Sequence, residues 1–199
     1  MILFKSFENE FLAQSLKKGK VGVLPTDTIY GLTASALSKQ PVERIFKLKK
    51  RNKGKPPIVI ISSLKDLSRF SIKLDKETKR ILNKLWPNKI SIILPYKGKR
   101  FEYLSRKTKG IAFRLPKHKK LVKLLKKTGP LITTSANIEG KPHARNIKEA
   151  LGYFKGKIDF YLDKGELKSL PSTLISIENS KISVLRQGAV KIPKYLTKF

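Results

Sequence analysis

The chain has 199 residues, enough for one domain with a sizeable core and too few for two. Its 45 Lys and Arg against 14 Asp and Glu give a formal net charge of +31, which implies a strongly positive surface drawn to polyanions. With no Cys and only His118 and His143, disulfides and thiolate metal sites are excluded and a transition metal finds few ligands.

No apolar run approaches the roughly 18 residues of a membrane span. The N-terminal stretch MILFKSFENEFLAQ meets acids straight after a brief apolar patch and has no small-residue cleavage signal, so the expectation is a cytoplasmic protein. Phe7, Phe11, Leu12 and Leu16 fall at helical spacing and predict a helix over 7–18, stopped by Gly19. A strand follows at 21–24. The polar turn Thr26-Asp27-Thr28 interrupts it before Tyr30 and Gly31.

Pro41 then opens a helix, PVERIFKLKK, with Val42, Ile45, Phe46 and Leu48 near its buried side. A strand at 57–62, a helix at 76–86 ending before Pro87, and strands at 89–95 and 111–115 come next. Residues 97–110, KGKRFEYLSRKTKG, read as a long mobile loop. A Lys-rich amphipathic helix occupies 118–127, and PLITTSAN at 130–137 reads as strand then turn. The remainder is a short helix at 146–154 and strands at 159–162, 173–177 and 181–186. Strands alternating with helices predict an α/β fold, and the two close final strands an antiparallel pair, so the sheet should be mixed.

Four segments share one form, an apolar strand running into small polar residues. They are Thr26-Asp27-Thr28, Arg114 in GIAFRLP, Thr133-Thr134-Ser135-Ala136-Asn137, and Pro171-Ser172-Thr173. Turn chemistry and capping account for any one of them, but their recurrence points to a site, because ligands of α/β sheets collect at strand ends. Lys49 and Arg51 end a helix, Arg114 sits inside a strand, and Arg186 closes ISVLRQG. An unpaired buried guanidinium is costly, and acids are scarce here, so Arg114 and Arg186 point to a ligand more than to ion pairs. Phosphates for the cations, with Ser, Thr and Asn holding neutral polar atoms, describe a nucleotide. No P-loop or dinucleotide fingerprint, Ser-His-Asp arrangement or carboxylate pair is present to specify the chemistry further.

Seven stretches, in order, resemble the YrdC-like threonylcarbamoyl-AMP synthases in their short, single-domain form over residues 1–199: GKVGVLPTDTIYGLTASA, RIFKLKKRNKGKPPIVII, LWPNKISIIL, IAFRLPKH, PLITTSANIEGKP, PSTLISI and VLRQGAV. The family's K-x-R and S-x-N elements stand here as Lys49-Lys50-Arg51 and Ser135-Ala136-Asn137. The resemblance implies a twisted, mixed α/β sheet flanked by helices and enclosing a basic cavity. It also implies a reaction in which L-threonine, bicarbonate and ATP give threonylcarbamoyl-AMP and pyrophosphate, partner proteins then moving the threonylcarbamoyl group to a tRNA adenosine.

By the same resemblance, Arg51, Lys55, Asn137 and Arg186, with the backbone at Gly110, would hold ATP. Thr28, Tyr30, Arg114, Ser135 and Ser172 would form the threonine site, with Thr26 and Asp27 stabilising the turn, and Lys49 with Arg51 would serve the chemistry beside the phosphates. Mg2+ would ride mainly on the phosphates, with no protein metal site. Asn52, Pro57, Ile60 and Arg145 depart from the family's usual residues. The competing reading is a non-catalytic RNA-binding or ribosome-associated module using the same basic surface.

Overall fold

A computed structural model describes residues 2–52, 54–106, 108–179 and 181–193. In chain order the elements are β1 (Ile2–Phe4), α1 (Glu10–Lys17), β2 (Gly22–Pro25), β3 (Tyr30–Ser35), α2 (Lys39–Lys49), β4 (Ile58–Ile60), a 3-10 helix (Leu64–Phe70), α3 (Lys76–Leu85), β5 (Ile90–Pro95), α4 (Glu102–Ser105), β6 (Gly110–Arg114), α5 (Lys119–Thr128), β7 (Leu131–Ser135), α6 (Ile147–Phe154), β8 (Phe160–Leu162), β9 (Thr173–Glu178) and β10 (Lys181–Arg186). All ten strands join one sheet in the order β1-β8-β2-β3-β7-β4-β6-β5-β9-β10. The pairs β1/β8, β2/β8, β4/β6 and β5/β9 are parallel and the others antiparallel, so the sheet is mixed as expected.

Successive side chains of a strand point to opposite faces, and this alternation divides the molecule. On the first face Val23, Leu32, Val59, Ile92, Phe113, Ile132, Tyr161 and Ile175 form one core beneath α2, α3, α4 and α6. On the second face Leu24, Ile60, Leu131, Phe160 and Leu162 form a smaller core beneath α1 and α5. Those two helices cover only the β1-to-β4 side of the second face. Over β6, β5 and β9 the same parity places Gly110, Ala112, Arg114, Ile93, Leu174 and Ser176 on the wall of a cavity.

The first helix begins at Glu10, not residue 7, because the Asn9 side chain caps it by accepting from the backbone N–H groups of Phe11 and Leu12. Phe7 is buried outside the helix, and Phe11 is 53% exposed rather than on its buried side. Two strands escape the sequence pattern. β1 is too short to display alternation, and β3 (YGLTAS) mixes Gly, Thr and Ser into a strand buried on both faces. The α2 helix starts at Lys39, two residues before Pro41. The expected loop at 97–110 contains the helical turn α4, with Phe101 and Leu104 buried in the larger core. His118 is the N-cap of α5, its Nδ1 accepting from the Leu121 N–H at 3.1 Å.

Phe160 centres the smaller core. Its ring meets Phe4 edge-on at 5.8 Å, fills the space a side chain at Gly22 would need, and is fully buried. Replacing it with Ala should cost about 3–5 kcal/mol of stability, read as a lowered midpoint in urea unfolding.

Candidate active site

The cavity has a volume of about 540 Å³, within the usual range of small-molecule sites. Its floor is the uncovered sheet face, and its walls are three polar turns and the segment after α2.

The β2–β3 turn forms one wall. Thr26 Oγ1 donates to the Ile29 carbonyl at 2.8 Å, accepts from the Thr28 N–H at 3.1 Å and lies 2.9 Å from Thr28 Oγ1, which locks the turn and leaves Thr28 on the cavity wall. Asp27 turns toward β6, where its Oδ1 lies 3.2 Å from Arg114 Nη2, with both side chains 3% exposed. Its Oδ2 accepts from the Lys117 N–H at 3.3 Å. Asp27 thus does more than stabilise a turn: it neutralises Arg114, which is an ion pair and a cavity-lining residue at once. Neither Arg114 Nε nor Asp27 Oδ1 has a hydrogen-bond partner among the described residues, so the pair is a charge contact with hydrogen-bonding capacity to spare. Burial lowers the Arg114 pKa, Asp27 opposes that, and Arg186 lowers it further.

At the end of α2, Lys50 takes a left-handed conformation (φ 51°) and the helix stops. Lys49 and Arg51 then diverge. The Lys49 ammonium, 1% exposed, donates to the Ser135 carbonyl at 2.5 Å, the Asn137 carbonyl at 2.7 Å and Asn137 Oδ1 at 2.9 Å. Ser135 Oγ also donates to Asn137 Oδ1, at 2.7 Å, and Asn137 Nδ2 donates to the Lys141 carbonyl at 2.6 Å. Lys49 and Asn137 therefore build the turn behind the cavity, and neither lines it. Burial first, and the Arg51 charge second, push the Lys49 pKa down to about 7. Arg51 faces the cavity, with Nε donating to the Lys55 carbonyl at 3.0 Å and Nη2 to the Pro56 carbonyl at 3.2 Å. Glu139 ties this segment to the turn after β7, pairing with Lys55 at 2.7 Å and accepting from the Asn52 N–H at 2.5 Å.

The far wall is the start of β9 and the end of β10. Arg186 Nη2 donates to the Ser172 carbonyl at 2.8 Å, and the Ser172 and Ser91 hydroxyls are 2.8 Å apart. Arg51, Arg114 and Arg186 all line this one cavity, and Arg186 lowers the pKa of the other two. Gly110 is a close-approach position, since a Cβ there would lie 2.5 Å from the Leu94 carbonyl oxygen.

Of the residues singled out in the sequence, Thr28, Arg51, Lys55, Gly110, Arg114, Ser135, Ser172 and Arg186 line the cavity. Tyr30 does not. The pleat points it into the opposite core, where its hydroxyl donates to the Gly165 carbonyl at 2.8 Å and accepts from the Lys164 N–H at 2.9 Å. Sequence reasoning missed the apolar floor of Ile58, Ile93, Ala112 and Leu174, of which strand parity counted from Arg114 and Ser172 could have found Ala112 and Leu174, and it missed Lys109 and Glu178. Five cations (Arg51, Lys55, Lys109, Arg114, Arg186) against the single carboxylate Glu178 make this a site for a polyanion with an apolar part. Among the described residues no cluster of three His, Asp or Glu side chains could hold a metal ion, and no helix is long and apolar enough to cross a membrane.

The family model for the Sua5/YciO/YrdC proteins, described as "Telomere recombination", matches residues 14–188. A protein of Methanocaldococcus jannaschii is 33% identical over 93% of this chain and 87% of its own length. The threonylcarbamoyl-AMP synthase of Pyrococcus abyssi is 31% identical over 89% of this chain, which spans about half (53%) of that longer protein. Among solved structures, P. abyssi Sua5 complexed with L-threonine superposes with a TM-score of 0.85 at 29% identity, covering 94% of this chain and 58% of that one. Escherichia coli YciO, at 23% identity, shares the fold with a TM-score of 0.82 over 96% of both chains. The chain belongs to the Sua5/YciO/YrdC family.

Asp27→Ala would leave the Arg114 charge buried without its counterion and should destabilise the protein by about 3 kcal/mol, measured by urea unfolding.

Proposed function

We propose that this member of the Sua5/YciO/YrdC family is a threonylcarbamoyl-AMP synthase, its 199 residues acting as one domain that joins L-threonine, bicarbonate and ATP. The observation that carries the reading is the convergence of Arg51, Arg114 and Arg186 on one cavity with an apolar floor. Relatives that bear the synthase name, and one crystallised with L-threonine, support it.

In this reading Arg114, held by Asp27, takes the threonine carboxylate, with Thr28, Ser135 and Ser172 beside it. Arg51, Lys55 and Arg186 take the phosphates of ATP, and the bare backbone at Gly110 lets the nucleotide approach the sheet. Lys49, Asn137 and Tyr30 act from behind, Lys49 and Asn137 by fixing the Ser135 turn and Tyr30 by anchoring the start of β3. The threonine amine and bicarbonate form a carbamate with loss of water. A carbamate oxygen attacks the α-phosphorus, the bond from that phosphorus to the bridging oxygen breaks, and pyrophosphate leaves with the electron pair. The carbamate, ATP and the departing pyrophosphate are all anionic, so alignment and charge neutralisation by the guanidinium groups supply the catalysis. The donor set fits Mg2+ held through phosphate oxygens, Glu178 being the one carboxylate on the wall. The product would pass, in the cytoplasm, to proteins that transfer the threonylcarbamoyl group to tRNA.

Pyrophosphate release from ATP, magnesium, bicarbonate and L-threonine tests the reading. Release should need both threonine and bicarbonate, and release indifferent to threonine would overturn it. Arg114→Ala should raise the threonine KM roughly 10- to 100-fold while ATP affinity stays near that of the parent, and Arg51→Ala should slow turnover by about 10²-fold or more.

Lys49 adds a pH signature. The charge on a bound triphosphate favours the ammonium form, so ATP binding at pH values above about 7 should raise the Lys49 pKa and take up a proton. ATP affinity should fall as pH rises through that value. Calorimetric heats would then depend on the buffer's ionisation enthalpy, and the Lys49→Met variant would lose the dependence.

A further inference from the structure

A second cavity, about 590 Å³, lies against the first with Gly54 on the wall of both. Lys39, Lys99, Arg100 and Arg106 line it against two acids, Glu43 and Glu102. Three of the cations are exposed side chains that a solvated surface would accommodate. Arg106 is different. Its side chain is 9% exposed, its guanidinium stacks 3.6 Å above the Phe46 ring, and its Nη1 pairs with Glu43 at 2.9 Å. Nε and Nη2 have no hydrogen-bond partner among the described residues. Its backbone takes the left-handed conformation (φ 54°) of a C-cap, which ends α4 and sets the side chain across the Phe46 ring.

The Phe46 ring is approached by one cation from each cavity. Arg51, on the wall of the first, lies 5.7 Å from the same ring, and Arg106 lowers the Arg51 pKa. A buried guanidinium with unused donors, net positive lining and a position beside the phosphate end of the main cavity have one ligand chemistry in common: a compact phosphate dianion or higher.

We infer that this second cavity is a site for inorganic pyrophosphate, which the leaving group reaches from beside Arg51 past Gly54. The inference rests on the reading of the first cavity as the place where pyrophosphate forms. Drawing the leaving group aside would lower its concentration at Arg51 and so oppose reversal of adenylate formation.

Titration of the full chain with sodium pyrophosphate, followed by calorimetry, tests this. Two sites per chain are expected, one of which excess ATP blocks. In the double variant Lys99→Glu/Arg100→Glu, the ATP-insensitive site should weaken roughly tenfold or more, with ATP affinity near that of the parent. In turnover, inhibition by added pyrophosphate should strengthen, because less of it is drawn away from Arg51, while the threonine KM stays put. Arg106→Lys, which keeps the charge and loses the planar stack, should weaken the same site alone. A single site that ATP fully blocks, or a second site indifferent to all three substitutions, would overturn the inference. An intact second site in a protein that releases no pyrophosphate from ATP and threonine would instead sink the synthase reading and uphold the anion site.

Discussion

A pleated sheet has two faces to cover, and this chain brings helices enough for one face and part of the other. The larger core takes α2, α3, α4 and α6, while α1 and α5 close the second face only over the β1-to-β4 side. On the remaining strands, side chains that in a fully covered sheet would be core become the floor and walls of a cavity. The alternation that buries Phe113 also exposes Ala112 and Arg114 to the site. Pleat geometry and site geometry are therefore one constraint, and a one-residue slip in β6 would send Arg114 into the opposite core.

Charge imposes the second constraint. A chain at +31 has few acids with which to pair buried cations, and it places two of them where the site needs order. Asp27 holds Arg114 in place from an adjacent turn, and Glu139 ties the segment carrying Arg51 and Lys55 to the turn after β7. Lys49, which has no acid in contact among the described residues, is satisfied by carbonyl oxygens instead. Arg186 lies close enough to Arg51 and to Arg114 to lower the pKa of each, a standing repulsion that an anionic ligand relieves.

Most helices and the long apolar strands were legible in the sequence, because amphipathic spacing and capping residues are local. The polar strand ends were legible as a site because Ser, Thr, Asn and Arg recur where apolar runs stop. β1 and β3 were not legible: a three-residue edge strand has no period to read, and β3, paired on both sides, carries Gly and Thr where a buried strand is expected to be aliphatic.

By itself the sequence determined the α/β class, the mixed sheet, the family resemblance and the cluster of polar and basic residues that belong to one site. Only the tertiary structure decided which way each pointed. Lys49 and Arg51 are two residues apart and diverge because Lys50 turns left-handed between them, and Tyr30 and Gly31 are neighbours that the pleat sends to opposite faces. Pairings such as Asp27 with Arg114 join distant segments, so they depend on which strands lie side by side, an order that arises from pairing across the sheet and that no single segment carries in its own residues.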